Sequence, residues 1–282
     1  ESPIEALSPT QAGIQTVASF SAHHVPYSFF QEHRDRDKQI FVALNSDEAG
    51  ISGTLKNLRT LTDLGFSNVT VAQPPPGLDW NDLLVAGAFD EKNREQTFEE
   101  SIWRGDLLLS GSAKEYWQIY RKRYPKLKTH IFSWDANTWI GTAKDDFPEL
   151  GVERIADCEI RLLYSLKDTA NQQRTRETFL LETCSRREGR KQVRMTAAEL
   201  SKPSELTATV PKTTRQIFRL QPIYFPTFSA YLLPSNPPSI RVLQHTGYDE
   251  KSGCFVYPNF AFDRTGKLHT LNGQGYFDQL RV

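Results

Sequence analysis

The sequence predicts an α/β domain built on a parallel sheet, followed by a second domain of mixed α+β class. Three observations predict it. Over residues 1–88, apolar strand-like runs alternate with helical stripes, the pattern of a parallel sheet with right-handed crossovers. Beyond Thr129 short strand-like runs dominate, with turn residues between them. The length, 282 residues, exceeds the usual size of one domain and suits two cores.

The elements follow in order. Ser2 to Gly13 reads as a helix, with Pro3 in its first turn and Gly13 at its stop. Ile14 to Phe20 reads as a strand, Pro26 to Arg36 as a helix and Gln39 to Leu44 as a buried strand. Ala49 to Leu64 carries Leu55, Leu58, Leu61 and Leu64 on one helical stripe, closed by Gly65. Asn68 to Ala72 is a further strand, and a rigid turn from Pro74 to Gly77 leads to a helix over Leu78 to Ala86 with Asp79 as its N-cap. From Asp90 to Tyr124 the pattern is helical and polar, so residues 89–128 read as a connector.

Strands are expected at Thr129 to Trp134, Thr138 to Ala143, Cys158 to Leu166, Glu177 to Cys184 and Gln192 to Met195, with a turn over Asp135 to Asn137. Thr213 to Leu233 reads as helical, broken or kinked by Pro222 and Pro226. After a loop from Pro234 to Pro238 come short strands around Ile240 to Leu243 and Cys254 to Tyr257. Residues 129–282 thus form the expected mixed α+β domain.

The chain carries 34 basic and 34 acidic residues, yet residues 1–100 hold 7 basic against 15 acidic side chains. An acidic first part beside a basic second part fits a metal-binding module joined to a polyanion-binding one, and also fits chance variation in a soluble protein. The three cysteines, Cys158, Cys184 and Cys254, lie far apart, which argues against a disulfide framework or zinc knuckle and for a cytoplasmic location. No run reaches the apolar length of a membrane span, and the start, ESPIEALS, is unlike a secretory signal.

Glu1, Asp47 and Asp79 fall where the α/β half converges at the C-terminal edge of its sheet, with Glu48 and Asp82 nearby. Carboxylates at such an edge can hold Mg²⁺ or Mn²⁺, which keeps several waters and bridges to phosphates, where negative charge builds during phosphoryl transfer. The same positions for Asp47 and Asp79 suit plain helix caps.

The segments ESPIEALS, QAGI and VAS at positions 1–8, 11–14 and 17–19, then ALNSDEAG at 43–50 and GLDWNDLL at 77–84, resemble the Toprim domain shared by topoisomerases and bacterial and phage primases. The resemblance covers roughly residues 1–88. Its motifs are a glutamate before a "DAL" helix, DxDxAG, and the "GKDxNDLL" segment of primase versions. It implies a Rossmann-like parallel sheet, with Glu1 as general acid/base, Asp47 as a metal-binding aspartate and Asp79 as a further acidic residue by the metal. Asn45 stands where the family has its first aspartate. Asparagine keeps an oxygen donor but removes a full charge, so divalent-metal affinity should fall. The family's strand before the glutamate is not in the sequence, nor is a zinc module, so the chain reads as a fragment.

Tyr116, Trp117, Tyr120, Arg121, Lys122, Arg123 and Tyr124 interleave aromatic and basic groups on an expected helix, a composition suited to single-stranded nucleic acid or to an amphipathic helix with a solvated basic face. Arg186, Arg187, Arg190, Lys191 and Arg194 surround Gly189 at an expected hairpin tip. His23 and His24 sit in a loop without further metal partners. The stretch around His245, with Tyr276 and Phe277 beyond it, resembles the region upstream of the helicase motor in primase-helicases of phages and integrated mobile elements. No GxxxxGK[ST] loop is present.

The expected function is therefore a DNA primase, or the primase part of a primase-helicase, joining nucleotides on single-stranded DNA. The alternatives are a catalytically silent nucleic-acid-binding or scaffold module and, behind it, a Toprim nuclease.

Overall fold

The computed structural model describes residues 3–11, 13–32, 35, 37–144, 147–168, 178–233, 239–242, 247–249, 253–256, 260–263 and 265–270. It divides into two compact units, Glu1–Pro125 and Lys126–Val282.

In the first unit α1 (Pro3–Gln11) and α2 (Tyr27–Glu32) precede β1 (Ile40–Val42), α3 (Glu48–Asp63), β2 (Val69–Val71), α4 (Trp80–Val85), α5 (Arg94–Leu109) and α6 (Ala113–Arg123). β1 and β2 are parallel, with Phe41 opposite Thr70, and the pairing continues past the strand as Ala72 N–H donates to the Val42 carbonyl at 3.0 Å. α3 is the crossover between them. It ends because Gly65 takes φ 86°, letting its N–H reach the Thr62 carbonyl and that of Phe66 reach Leu61. Leu61 and Phe66 then pack with Val42, Leu44 and Val71 in the core.

Two expectations change in this unit. Ile14 to Phe20 is not a strand; Ile14 and Thr16 are half-buried and Gln15 and Val17 exposed, but the run joins no sheet. Beside it lies a cleft of about 850 Å³ whose walls include Ile14, Val17, Phe29, Ile40 and Phe41. Among the described residues, the β1 edge opposite β2 bonds to no strand. The helices between residues 94 and 123 belong to the first unit instead of forming a connector. A side chain on Gly105 of α5 would collide with the Val71 carbonyl of β2, and Gln73 N–H donates to the Ser101 carbonyl at 2.9 Å.

In the second unit β3 (Thr129–Trp134), β4 (Asn137–Lys144) and β5 (Phe147–Ala156) form an antiparallel sheet. Asp135 and Ala136 both take positive φ, 54° and 56°, as a two-residue hairpin turn requires. A second sheet has the order β8 (Gly189–Thr196), β7 (Thr178–Ser185), β6 (Glu159–Asp168), β9 (Ser239–Val242), with β9 parallel to β6. α7 (Ala197–Leu200), α8 (Pro203–Thr214) and α9 (Phe225–Leu232) complete a shared core containing Ile131, Ile140, Ile160, Leu181, Val210 and Phe228. Pro222 and Pro226 do not kink a helix. They occupy first turns, Pro222 in a 3₁₀ turn and Pro226 in α9, where a missing N–H costs nothing.

Four short strands, β10 (Gly247–Asp249), β11 (Cys254–Val256), β12 (Phe260–Phe262) and β13 (Leu268–Thr270), form a last antiparallel sheet. The Asp263 carboxylate accepts from Thr265 Oγ1 at 2.6 Å and from His269 Nε2 at 3.0 Å, which holds its carboxyl well below the usual range. His245, Tyr276 and Phe277 lie outside the described residues. Among the described residues, no helix is long and apolar enough to cross a membrane.

Candidate active site

Because β1 and β2 are parallel, their C-terminal ends open on the same edge, and each hands its chain to a helix whose first residue follows an aspartate. After β1 the loop runs Ala43 to Asp47. Asp47 is extended (φ −80°, ψ 175°) and its Oδ1 accepts from Gly50 N–H at 2.7 Å, capping α3. Gly50 is confined to glycine, since a Cβ there would collide with the Asn45 carbonyl oxygen. That close approach folds the Asn45–Asp47 loop back over the start of α3.

After β2 the chain passes Gln73 and Pro74, both buried, and turns at Gly77 with φ 80°. Asp79 caps α4 reciprocally: its Oδ1 accepts from Asp82 N–H at 2.7 Å, and Asp82 Oδ2 accepts from Asp79 N–H at 3.0 Å. The two loops are tied together where Ser46 Oγ donates to the Pro75 carbonyl at 3.2 Å. α1 packs against α4.

The capping roles expected of Asp47 and Asp79 are thus both present. Each cap uses a single oxygen, Oδ1, so neither role consumes the carboxylate's second oxygen. Asp47 is exposed and Asp79 half-buried, whereas the Oδ1 atom of Asn45 is shielded from solvent. Glu48, in the first turn of α3, is exposed. Glu1 lies outside the described residues. Among those described, no three His, Cys, Asp or Glu side chains gather as a metal cluster. Two carboxylates and an amide oxygen suit an ion that keeps most of its waters and binds substrate phosphates, and do not make a closed protein cage. His23 and His24 are exposed loop residues, and the His23 carbonyl accepts from Lys56 Nζ at 2.8 Å.

The expected nucleic-acid residues are divided by the fold. Trp117 is 0 % exposed, a core side chain of the helical layer, so its ring face is not open to a base. Tyr120 and Arg121 are half-buried and Lys122 exposed. Arg123 pairs with Glu100 at 3.5 Å and lies 5.5 Å over the Trp103 ring. On the β7–β8 hairpin, Arg187 and Arg190 are exposed, and Arg186 pairs with Asp135. Lys191 points the other way along the alternating strand, to Glu188 Oε2 at 2.6 Å and the Thr214 carbonyl at 3.0 Å. It is therefore no part of a free basic tip. Trp103 of α5, which touches the α6 tyrosines, was not foreseeable from local spacing because it sits on a different helix.

Residues 1–84 match the family model described as Toprim-like. No curated protein and no solved structure matches the chain. The fold is accordingly a Toprim-like domain at the N-terminus with a small parallel sheet, followed by sheets that are antiparallel except where β9 joins β6.

Proposed function

We propose that this chain is the nucleotidyl-transferring part of a DNA primase, acting on single-stranded DNA and nucleotides. The observation that carries it is the placement of Asp47 and Asp79 on two tied loops at one edge of the parallel sheet, inside the Toprim-like segment. Asp47 and Asp79, with Asn45 as a neutral donor, would hold Mg²⁺ or Mn²⁺. When bound, the ion neutralises charge on the phosphate oxygens. Asp47 and Asp79 fix the approach by remaining anchored to the first turns of α3 and α4. Glu1 would take the proton from the attacking hydroxyl. The weak resemblance of the C-terminal stretch to primase-helicases of phages and mobile elements adds a helicase as a partner within the same proposal.

The test is primer synthesis on single-stranded DNA by the protein with and without Asp47→Ala. Loss of Mg²⁺-dependent nucleotide addition is expected, and undiminished addition overturns the assignment. DNA cleavage without addition would point to a nuclease instead.

Asn45 favours a second reading, a silent nucleic-acid-binding module, because a neutral amide replaces a charge at the site. Asn45→Asp discriminates between them. An increase in activity or Mg²⁺ affinity supports a weakened enzyme, whereas no Mg²⁺ uptake in either form supports the silent module.

A further inference from the structure

We propose that the half-buried margin of α6, beside the buried Trp117, is a stacking platform for unpaired bases, built from Tyr116, Tyr120 and Tyr124 and braced by Trp103. The inference rests on the reading that this chain acts on nucleic acid. The three tyrosines recur at a spacing of four, which places them along one side of the helix. Tyr116 and Tyr120 lie nearly parallel, with centroids 6.4 Å apart and 14° between planes, and Tyr120 and Tyr124 approach to 5.0 Å. Trp103 packs on Tyr120 at 5.4 Å and on Tyr124 at 5.7 Å, and Arg123 covers its ring.

The strip is held in place but not hidden. Tyr116 and Tyr120 are half-buried, and Tyr124, at the C-cap of α6, is 44 % exposed. Aromatic rings fixed by neighbours lose little freedom when another flat ring is added, and every base offers a π-face. The Trp103 Nε1 atom is buried and, among the described residues, has no acceptor, and the ring packs on Tyr120 and Tyr124 as a support beneath them.

Charge on the same helix suits a phosphate backbone. Arg121, Lys122 and Arg123 fill its last turn and Lys114 its first. The nearby acids are largely engaged. Glu100 is held by Arg104 and Arg123, Glu115 accepts from Gly111 N–H at 2.7 Å, and Asp106 faces Lys122. Stacking rings beside a cationic turn distinguish unpaired strands from duplexes, whose bases present edges and not faces.

The experiment is anisotropy of a labelled single-stranded oligonucleotide titrated with the full 282-residue chain in EDTA, against Tyr124→Ala, Tyr124→Phe and an Arg121→Gln/Lys122→Gln double variant. Tyr124→Ala should weaken binding about tenfold, while Tyr124→Phe, which keeps the ring, should bind as the parent does. The double variant should reduce the slope of affinity against salt by about two. Circular dichroism confirms that the variants fold. Equal binding by Tyr124→Ala and the parent overturns the platform, as does equal affinity for duplex, or no binding of the oligonucleotide. Because no metal is present, a protein that binds through Tyr124 but makes no primers refutes only the proposed reaction.

Discussion

Ser46 Oγ donates a hydrogen bond to the carbonyl oxygen of Pro75 at 3.2 Å, and this contact joins the loop that carries Asp47 to the loop that carries Asp79.

Removing it should loosen the site more than the fold. Ser46→Ala is expected to cost about 1 kcal/mol of unfolding free energy and to weaken Mg²⁺ binding severalfold. Urea denaturation and metal titration calorimetry on the same protein check both.

Charge and cap at Asp47 can be separated. Asparagine caps helices about as well as aspartate, so Asp47→Asn should leave stability within about 0.5 kcal/mol, while Asp47→Ala should lose about 1 kcal/mol. Both should abolish Mg²⁺-dependent nucleotide addition. If Asp47→Asn stays active, the charge of Asp47 is not needed for the reaction.

The attachment of α5 to the sheet gives an unusual sign. In an exposed helix interior, glycine to alanine stabilises by about 1 kcal/mol. Gly105→Ala should instead destabilise the first unit by roughly 2 kcal/mol, because the added methyl meets the Val71 carbonyl. Thermal unfolding decides between the two signs.

Acid should weaken the second unit through His130. Burial, with Phe132 stacked 6.0 Å away, lowers its pKa from 6.5 to about 4. Between these values the unfolded chain binds a proton that the folded chain refuses, so stability falls as pH drops from 6.5 to 4 and is constant with respect to this group above 6.5. His130→Phe should flatten that part of the profile in urea midpoints measured at pH 7 and pH 4.5.

What could be read from the sequence was what is local. The cap at Asp47 and the stop of α3 at Gly65 are set by neighbours three and four residues apart and are found as read, whereas of the four leucines on the expected stripe only Leu61 is buried, and Gly50, Gly53, Thr54 and Asn57 supply the rest of the inward face. The Asp135 turn was legible for the same reason. Ile14 to Phe20 was not, because alternation becomes a strand only when the backbone pairs with another edge, and here a cleft separates the run from β1. Gly105 lies in the stretch that reads as a connector, and its need for glycine is visible only against the Val71 carbonyl. Around α6 the aromatics Tyr116, Trp117, Tyr120 and Tyr124 are too many for periodicity to say which faces inward. Packing chose Trp117. At the candidate site the two aspartates were legible as strand-end residues, but the Ser46–Pro75 tie depends on two loops 29 residues apart.

Among the described residues the β1 edge opposite β2 bonds to no strand, and this sets how the domain should behave at high concentration. Phe41 is 44 % exposed there, beside an apolar cleft, and a short uncovered edge of this kind is a template on which another extended segment can crystallise its backbone pairing. Self-association should therefore grow with protein concentration and recede when a lysine is placed at Phe41, as sedimentation of the two proteins would show.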